Sequence, residues 1–175
     1  MAGASDRLVV MDDVARRFDE IELDVDAPTP VTFSELYDEQ FLPLVRLAVL
    51  LTGRVEVARD VVQDSFVKLH VRWSTVREPL PYVRSSVVNG CRSSHRRRLR
   101  RGDVTLAAHD RPTPLDVDHT VTTLAVLTPR ERACVVLKYY EQRTEREIAE
   151  LVGCRPGSVG PTVHRALAKL REAQV

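Results

Sequence analysis

Between Arg92 and Arg101 the chain places six arginines and one histidine in ten residues, with no acid among them. Guanidinium groups at that density suit the evenly spaced charges of a phosphate backbone. Just before them stand Ser85, Asn89, Arg92 and Ser93. Amide and hydroxyl groups can meet base edges while arginines hold phosphates. A second set lies further on. Thr144 precedes Glu147 by three residues, a capping box, and Ile148, Leu151 and Val152 supply an apolar face. Gly153 suits the left-handed residue past a helix end. Cys154 then stands at the start of the next helix, where Val159, Val163, Ala166, Leu167 and Leu170 repeat at helical spacing. Its other face carries Ser158, Thr162, Arg165 and Lys169. A short helix, a glycine turn and a polar-basic helix form the helix-turn-helix pattern of DNA readers. A third set is mostly acidic: Asp60, Gln63, Asp64 and Lys68 share one helix side, opposite Ala58, Val62, Phe66, Leu69 and Trp73.

Reaction chemistry is harder to find. There is no phosphate-cradling glycine loop, no histidine pair on one helix face and no nucleophile elbow. His70, His95, His109, His119 and His164 are scattered, without an obvious carboxylate partner. Cys91, Cys134 and Cys154 are far apart and form neither a CxxC pair nor a zinc spacing. The expectation is a protein that is not an enzyme, with no cofactor and no metal. Sparse, odd-numbered thiols fit a reducing cytoplasm. The acidic start is no signal peptide, and the apolar run Val45 to Leu51 is too short to span a bilayer, so membrane insertion is not expected.

The elements that must position these groups read as helices. Hydrophobic residues are 43% of 175 and aromatics only 5%, which leans away from a sandwich or barrel. The net charge of +1 conceals segregation. Residues 1–30 hold eight acids against three arginines. That segment has a candidate helix over Val9 to Ile21, broken by Pro28 and Pro30, and an acidic tail of this kind could occupy the basic surface when DNA is absent. Thr32 or Ser34 opens a first long helix to about Thr52, with Pro43 as a candidate kink and Gly53 as its end. Val55 to Trp73 is the second helix. Pro79 and Pro81 break the chain before a third, Tyr82 to Arg98. Gly102 to Leu115, with Pro112 and Pro114, reads as a linker. Asp116 caps a helix through Val126. Thr128-Pro129-Arg130-Glu131 starts another, with body Ala133 to Tyr140, ahead of the helix-turn-helix. The fold class is all-α: two small helical domains joined by a flexible linker. The boundaries are an acidic extension at 1–31, a first domain at 32–101, a linker at 102–115 and a second domain at 116–175.

Taken in order, these motifs resemble one family. Asp60-Val61-Val62-Gln63-Asp64-Ser65-Phe66 is similar to the D-x-V-Q-[DE]-x-F segment of extracytoplasmic-function RNA polymerase sigma factors, actinobacterial type. Leu127 to Arg132 resembles the start of that family's second domain. Glu147-Ile148-Ala149, Gly153 and Arg165 to Arg171 resemble its helix-turn-helix. The resemblance covers about Phe33 to Glu172, outside the linker. It implies a transcription initiation factor made of sigma region 2 and sigma region 4. Its partners would be core RNA polymerase, through the largest subunit's clamp helices and the flap, and promoter DNA, with an anti-sigma factor as a further candidate. Carried over by position, it implies polymerase contacts at Asp60, Gln63, Asp64 and Lys68. It implies capture of the −10 non-template strand by Tyr82, Arg84, Asn89, Arg92, Ser93, Arg96, Arg97 and Arg98. It implies −35 reading by Thr144, Arg155, Ser158, Thr162 and Arg165.

The chain departs from the family where a run such as G-T-V-K-S-R is usual. Here Gly157-Ser158-Val159-Gly160-Pro161-Thr162 puts glycine in place of a basic residue and proline inside the expected helix. Interior proline costs about 3 kcal/mol or kinks a helix. Either the helix starts late or bends and the −35 preference is altered, or −35 binding is weak and the −10 element carries more. Two other functions remain. One is a helix-turn-helix regulator that never joins polymerase as a sigma subunit. The other is a protein-interaction module whose altered recognition helix has lost DNA reading.

Overall fold

The computed structural model describes residues 32–102 and 118–173. The acidic extension, its candidate helix at 9–21 and the linker beyond Gly102 lie outside them, as does Asp116. The described residues hold seven α-helices, one 3-10 turn and no strand. They divide into two compact units, 32–102 with 118–125, and 126–173.

The first unit begins with α1, Phe33–Thr52. Thr32 caps it: its hydroxyl accepts from the Glu35 amide at 3.2 Å, and the Glu35 carboxylate accepts from the Thr32 amide at 2.9 Å. The helix runs on through Pro43, which supplies no amide to the Glu39 carbonyl. Gly53, at φ 69°, ends the helix in the left-handed region where a Cβ is costly. Next come α2, Val55–Val71, and α3, Pro79–Arg100. The third helix starts three residues earlier than the sequence suggests, because Pro79 and Pro81 both fall in its first turn. Amides there have no partner within the helix, so proline loses nothing. A last short helix, α4, Asp118–Leu124, packs on α1.

The core of this unit is the meeting of three stripes: Leu36, Leu44, Leu47 and Ala48 of α1, Val62, Phe66 and Leu69 of α2, and Val83, Val87 and Cys91 of α3. Each fully buried large aliphatic side chain contributes about 1.5–3 kcal/mol. At one end Phe33 meets His70 edge-on at 4.8 Å and Trp73 at 5.4 Å, while Tyr37 meets Phe66 at 4.9 Å. His70 is therefore accounted for by aromatic packing. The approach of α3 to α2 depends on Gly90: a Cβ there would lie 2.7 Å from Val61 Cγ1.

The second unit holds α5, Pro129–Tyr139, α6, Glu145–Val152, a 3-10 turn at Pro156–Ser158 and α7, Val159–Glu172. Thr128 with Glu131 and Thr144 with Glu147 form full capping boxes. Gly153 closes α6 at φ 69°. The core gathers Leu137, Tyr140, Ile148, Val159, Ala166 and Leu170. Cys154 lies in the turn, not at a helix start: α7 begins five residues later, after the 3-10 segment. This late start resolves Pro161. It is the third residue of α7, in the first turn, so no α-helical hydrogen bond is deleted.

Two outcomes are expected. Gly90→Ala must push α3 off Val61, a stiff β-branched neighbour, and lower stability by about 1–3 kcal/mol in urea titration, whereas Ser86→Ala on the same face changes it little. The Glu147 carboxyl is held down at about 2 by the side-chain and backbone hydrogen bonds to Thr144 and by Arg143. A depressed carboxylate contributes stability above its ordinary value of 4.5 and loses it as pH falls through about 2. Acid melts followed by circular dichroism should therefore show a stability loss over that window, made shallower by Glu147→Gln.

Candidate nucleic-acid interface

In the first unit α2 and α3 enclose a cleft of about 970 Å³. Its floor is the close contact of Val61 with Gly90. One wall carries Asp60, Asp64 and Lys68, and the other Tyr82, Asn89, Ser93 and Arg97. Residues 82, 86, 89, 93 and 97 step by four, three, four and four, which keeps one edge of a helix facing the cleft. The structure thus brings together two groups that the sequence assigned to different partners. Chemically the cleft offers a phenol ring to stack on, an amide and hydroxyls for base edges, and a guanidinium at its end.

Towards the C-terminal end of α3 a smaller recess of about 360 Å³ lies among Ser93, Arg96, Arg97 and Arg100. Arg96 Nη2 donates to Ser93 Oγ at 3.5 Å, and Arg96, Arg97 and Arg100 are exposed. Three of the nominated arginines are placed otherwise. Arg84 and Arg98 are half-buried, and at 100° per residue they fall on the core side of α3, beside Val83, Val87 and Cys91. Their stems pack, as long basic side chains do, and they do not line the cleft. Arg92 is half-buried on the flank. Arg77 and Glu78, in the connection before α3, also line the cleft. The sequence points to the turn before the third helix but not to these two side chains, because only the packing of α3 on α2 brings them to the cleft.

On α2 the helix side opposite the buried Val62, Phe66 and Leu69 holds Asp60, Asp64, Val67 and Val71, with Gln63 and Lys68 on its flanks. Val67 is 59% exposed and Val71 78% exposed. From sequence alone a valine in a helix reads as core. Four residues apart on one helix side, the two form a small exposed apolar patch among charges.

In the second unit the recognition-type helix α7 is turned differently from the sequence expectation. Thr162 is 3% exposed and its hydroxyl donates to the Ser158 carbonyl at 2.6 Å, so its nomination as a base contact is corrected. Ser158 is half-buried; its hydroxyl donates to the Arg155 carbonyl at 2.7 Å and accepts from Arg130 Nη2 at 3.1 Å. Lys169 is likewise engaged, donating to both oxygens of Glu131 at 2.9 Å. Burial pushes the Glu131 carboxyl up, but the hydrogen bonds from Lys169 and Thr128 outweigh it and the net direction is down. Thr144 is exposed at the start of α6, with its hydroxyl in the capping box. Arg155 and Arg165 are exposed. Gly160 is half-buried, and a Cβ there would lie 3.3 Å from Glu145 Oε1, so a basic side chain grafted at that position would meet a carboxylate.

Burial raises the Cys91 thiol to about 12 and the Cys134 thiol to about 11, far from thiolate reactivity at neutral pH. Among the described residues no group of three or more His, Cys, Asp or Glu could hold a metal ion. No described helix is long and apolar enough to cross a membrane.

Comparison with known proteins gives the chain's family. Residues 121–170 match the family model for sigma-70, region 4. The chain is 32% identical over 133 residues to the RNA polymerase sigma-E factor of Streptomyces coelicolor, covering 67% of this chain and 72% of that protein. It is 27% identical over 150 residues to the ECF RNA polymerase sigma factor SigL of Mycobacterium tuberculosis, covering 78% of this chain and 85% of that one. Among solved structures, the sigma factor RpoE of Bartonella quintana, crystallised with the anti-sigma factor NepR, shares the fold with a TM-score of 0.62 at 23% identity, over 79% of this chain and 93% of that one. With helical units of this geometry and relatives of this similarity, the chain belongs to the extracytoplasmic-function sigma factors of RNA polymerase.

Proposed function

We propose a division of labour within this transcription initiation factor. The outer side of α2 grips core RNA polymerase through Asp60, Gln63, Asp64 and Lys68, with Val67 and Val71 adding apolar contact. The α2–α3 cleft takes unstacked bases of the −10 non-template strand against Tyr82, Asn89 and Ser93. Arg96, Arg97 and Arg100 hold its phosphates. The second unit reads the −35 element with α7. The observation that carries this reading is the cleft itself, which sets stacking, amide, hydroxyl and guanidinium groups within one groove that ends in an arginine-rich recess. Bases already out of the helix are the ligands such a groove suits, because unstacking removes the cost of reaching them.

The protein is not itself a catalyst in this reading. It works in the cytoplasm, where polymerase and chromosome meet. By function, residues 32–101 serve polymerase and the −10 element and residues 116–175 the −35 element, with 102–115 as linker, while α4, early in the last stretch, packs on α1 in the first compact unit. An anti-sigma protein, of the kind bound to the Bartonella factor, would regulate it by covering these surfaces. A helix-turn-helix regulator independent of polymerase has no use for exposed valines beside Asp60 and Asp64.

Run-off transcription with purified core polymerase and a promoter library tests the function: specific transcripts above core alone are expected, and their absence overturns it. For the grip, Val67→Glu should weaken holoenzyme assembly about tenfold or more in a fluorescence binding assay while leaving helix content unchanged. Tyr82→Ala should instead leave assembly intact and reduce promoter opening, read by permanganate reactivity of the melted strand.

A further inference from the structure

Gly90 stands in the middle of α3, where glycine weakens a helix relative to alanine. Conformation does not call for it: the described glycines with positive φ are Gly53, Gly102 and Gly153, and Gly90 is helical. Burial does not call for it either. Gly90 and Val61 are both half-buried, whereas the core of the unit lies in Val62, Phe66, Val87 and Cys91. What alanine would change is room. A Cβ at Gly90 would lie 2.7 Å from Val61 Cγ1, and the next atoms it would meet, at 3.8 and 3.9 Å, also belong to Val61. A comfortable carbon contact is about 3.5–4.0 Å, so the methyl group would drive the helices apart by about 1 Å. The contact is part of a line. Ser86, Gly90 and Ser94 step by four along α3, Val57, Val61 and Ser65 step by four along α2, and all six line the cleft.

We propose that Gly90 and Val61 are positioning residues for strand capture: their close contact sets the separation of α2 and α3, and through it the width of the cleft between the wall of Asp60 and Asp64 and the wall of Tyr82, Asn89 and Ser93. The inference rests on the −10 reading given above. Neither residue offers the strand a polar side-chain group, so both act through the spacing of the helices that carry the others. Spacing is what the binding groups need. Stacking and hydrogen bonding hold only near contact distance, and a site works when its groups stay within about 0.5 Å of the productive geometry. A widening of about 1 Å exceeds that tolerance. The outer side of α2 is spared. At 100° per residue Val67 stands about 120° round the helix from Val61, so the surface assigned to polymerase keeps its shape when the cleft opens.

The test uses the full chain assembled with core polymerase. The probe is a fluorescent single-stranded oligonucleotide carrying the −10 sequence that wild-type holoenzyme selects from a promoter library. Its Kd is the readout, because Kd does not depend on the fraction of factor that folds and assembles. Gly90→Ala is expected to weaken the oligonucleotide about tenfold. Core polymerase should bind that variant within about twofold of wild type, since the two surfaces are separate. Adding Val61→Ala removes the methyl groups that the new Cβ meets. The double variant is expected to return to within about twofold of the wild-type Kd, a coupling that a loss of stability alone would not produce. Val61→Ile thickens the same contact from the α2 side and leaves α3 unaltered. A several-fold loss is expected from it, and it carries the test if Gly90→Ala does not fold. Wild-type holoenzyme that binds the oligonucleotide no better than a scrambled one overturns the −10 reading and this inference with it. Wild-type binding that Gly90→Ala and Val61→Ile leave unchanged, or a double variant no tighter than Gly90→Ala, overturns the inference alone.

Discussion

The second unit depends on one carboxylate. Glu131 accepts from the Thr128 amide and hydroxyl at 2.9 Å, closing the start of α5, and from Lys169 Nζ at 2.9 Å, tying the far end of α7 to the same point. The Glu131 side chain is 11% exposed and that of Lys169 44% exposed. The pair therefore stands between a bare surface bridge and a buried one, strong enough to matter because the carboxylate has several donors. Its effect is orientational. Lys169 can reach Glu131 only when the Val159, Val163, Ala166 and Leu170 side of α7 faces the core. That rotation sends His164 outward and Thr162 inward. A helix with one apolar side could roll by tens of degrees without losing much buried area, and this contact, with Arg130 to Ser158 at the other end, stops it rolling.

The first unit solves a different problem. It keeps an acidic surface and a basic one on neighbouring helices without the two cancelling. α2 and α3 cross with Gly90 against Val61, close enough that the acids of α2 line the mouth of the cleft while the arginines gather at the C-terminal end of α3. Arginines there also complement the partial negative charge of the helix end. The near-neutral total of +1 is then a sum of opposed local fields. Asp60 and Asp64 border the outer ridge and the cleft alike, so the two surfaces share a boundary.

The thresholds of the helices are set by short-range chemistry that recurs three times. Thr32 with Glu35, Thr128 with Glu131 and Thr144 with Glu147 make the same reciprocal pair of bonds. Each cap contributes about 1 kcal/mol locally. Together they set where the helices start, and hence the angular position of every side chain downstream. The Pro79 and Pro81 pair and Pro161 act in the same manner. Each falls in a first turn, where a missing amide is harmless and a preset φ helps.

What the sequence determined by itself is what local physics determines: the all-α class, the long first helix from Thr32 to Gly53, the three caps, the glycine ends and the arginine run. The order of its motifs was also enough to mark the sigma-factor family. Only the tertiary structure decided which side of each helix faces out. Periodicity separates apolar from polar residues but cannot tell a threonine that bonds its own helix, as Thr162 does, from one that faces solvent. It cannot tell an arginine whose stem packs from one that is free of the core, so Arg84 and Arg98 were placed with Arg96 and Arg97. Nor can it show that Val67 and Val71 face outward. Such orientations are set by the few long-range contacts that fix each helix's rotation, Glu131 to Lys169 across 38 residues for α7, and such contacts have no signature in the neighbouring residues.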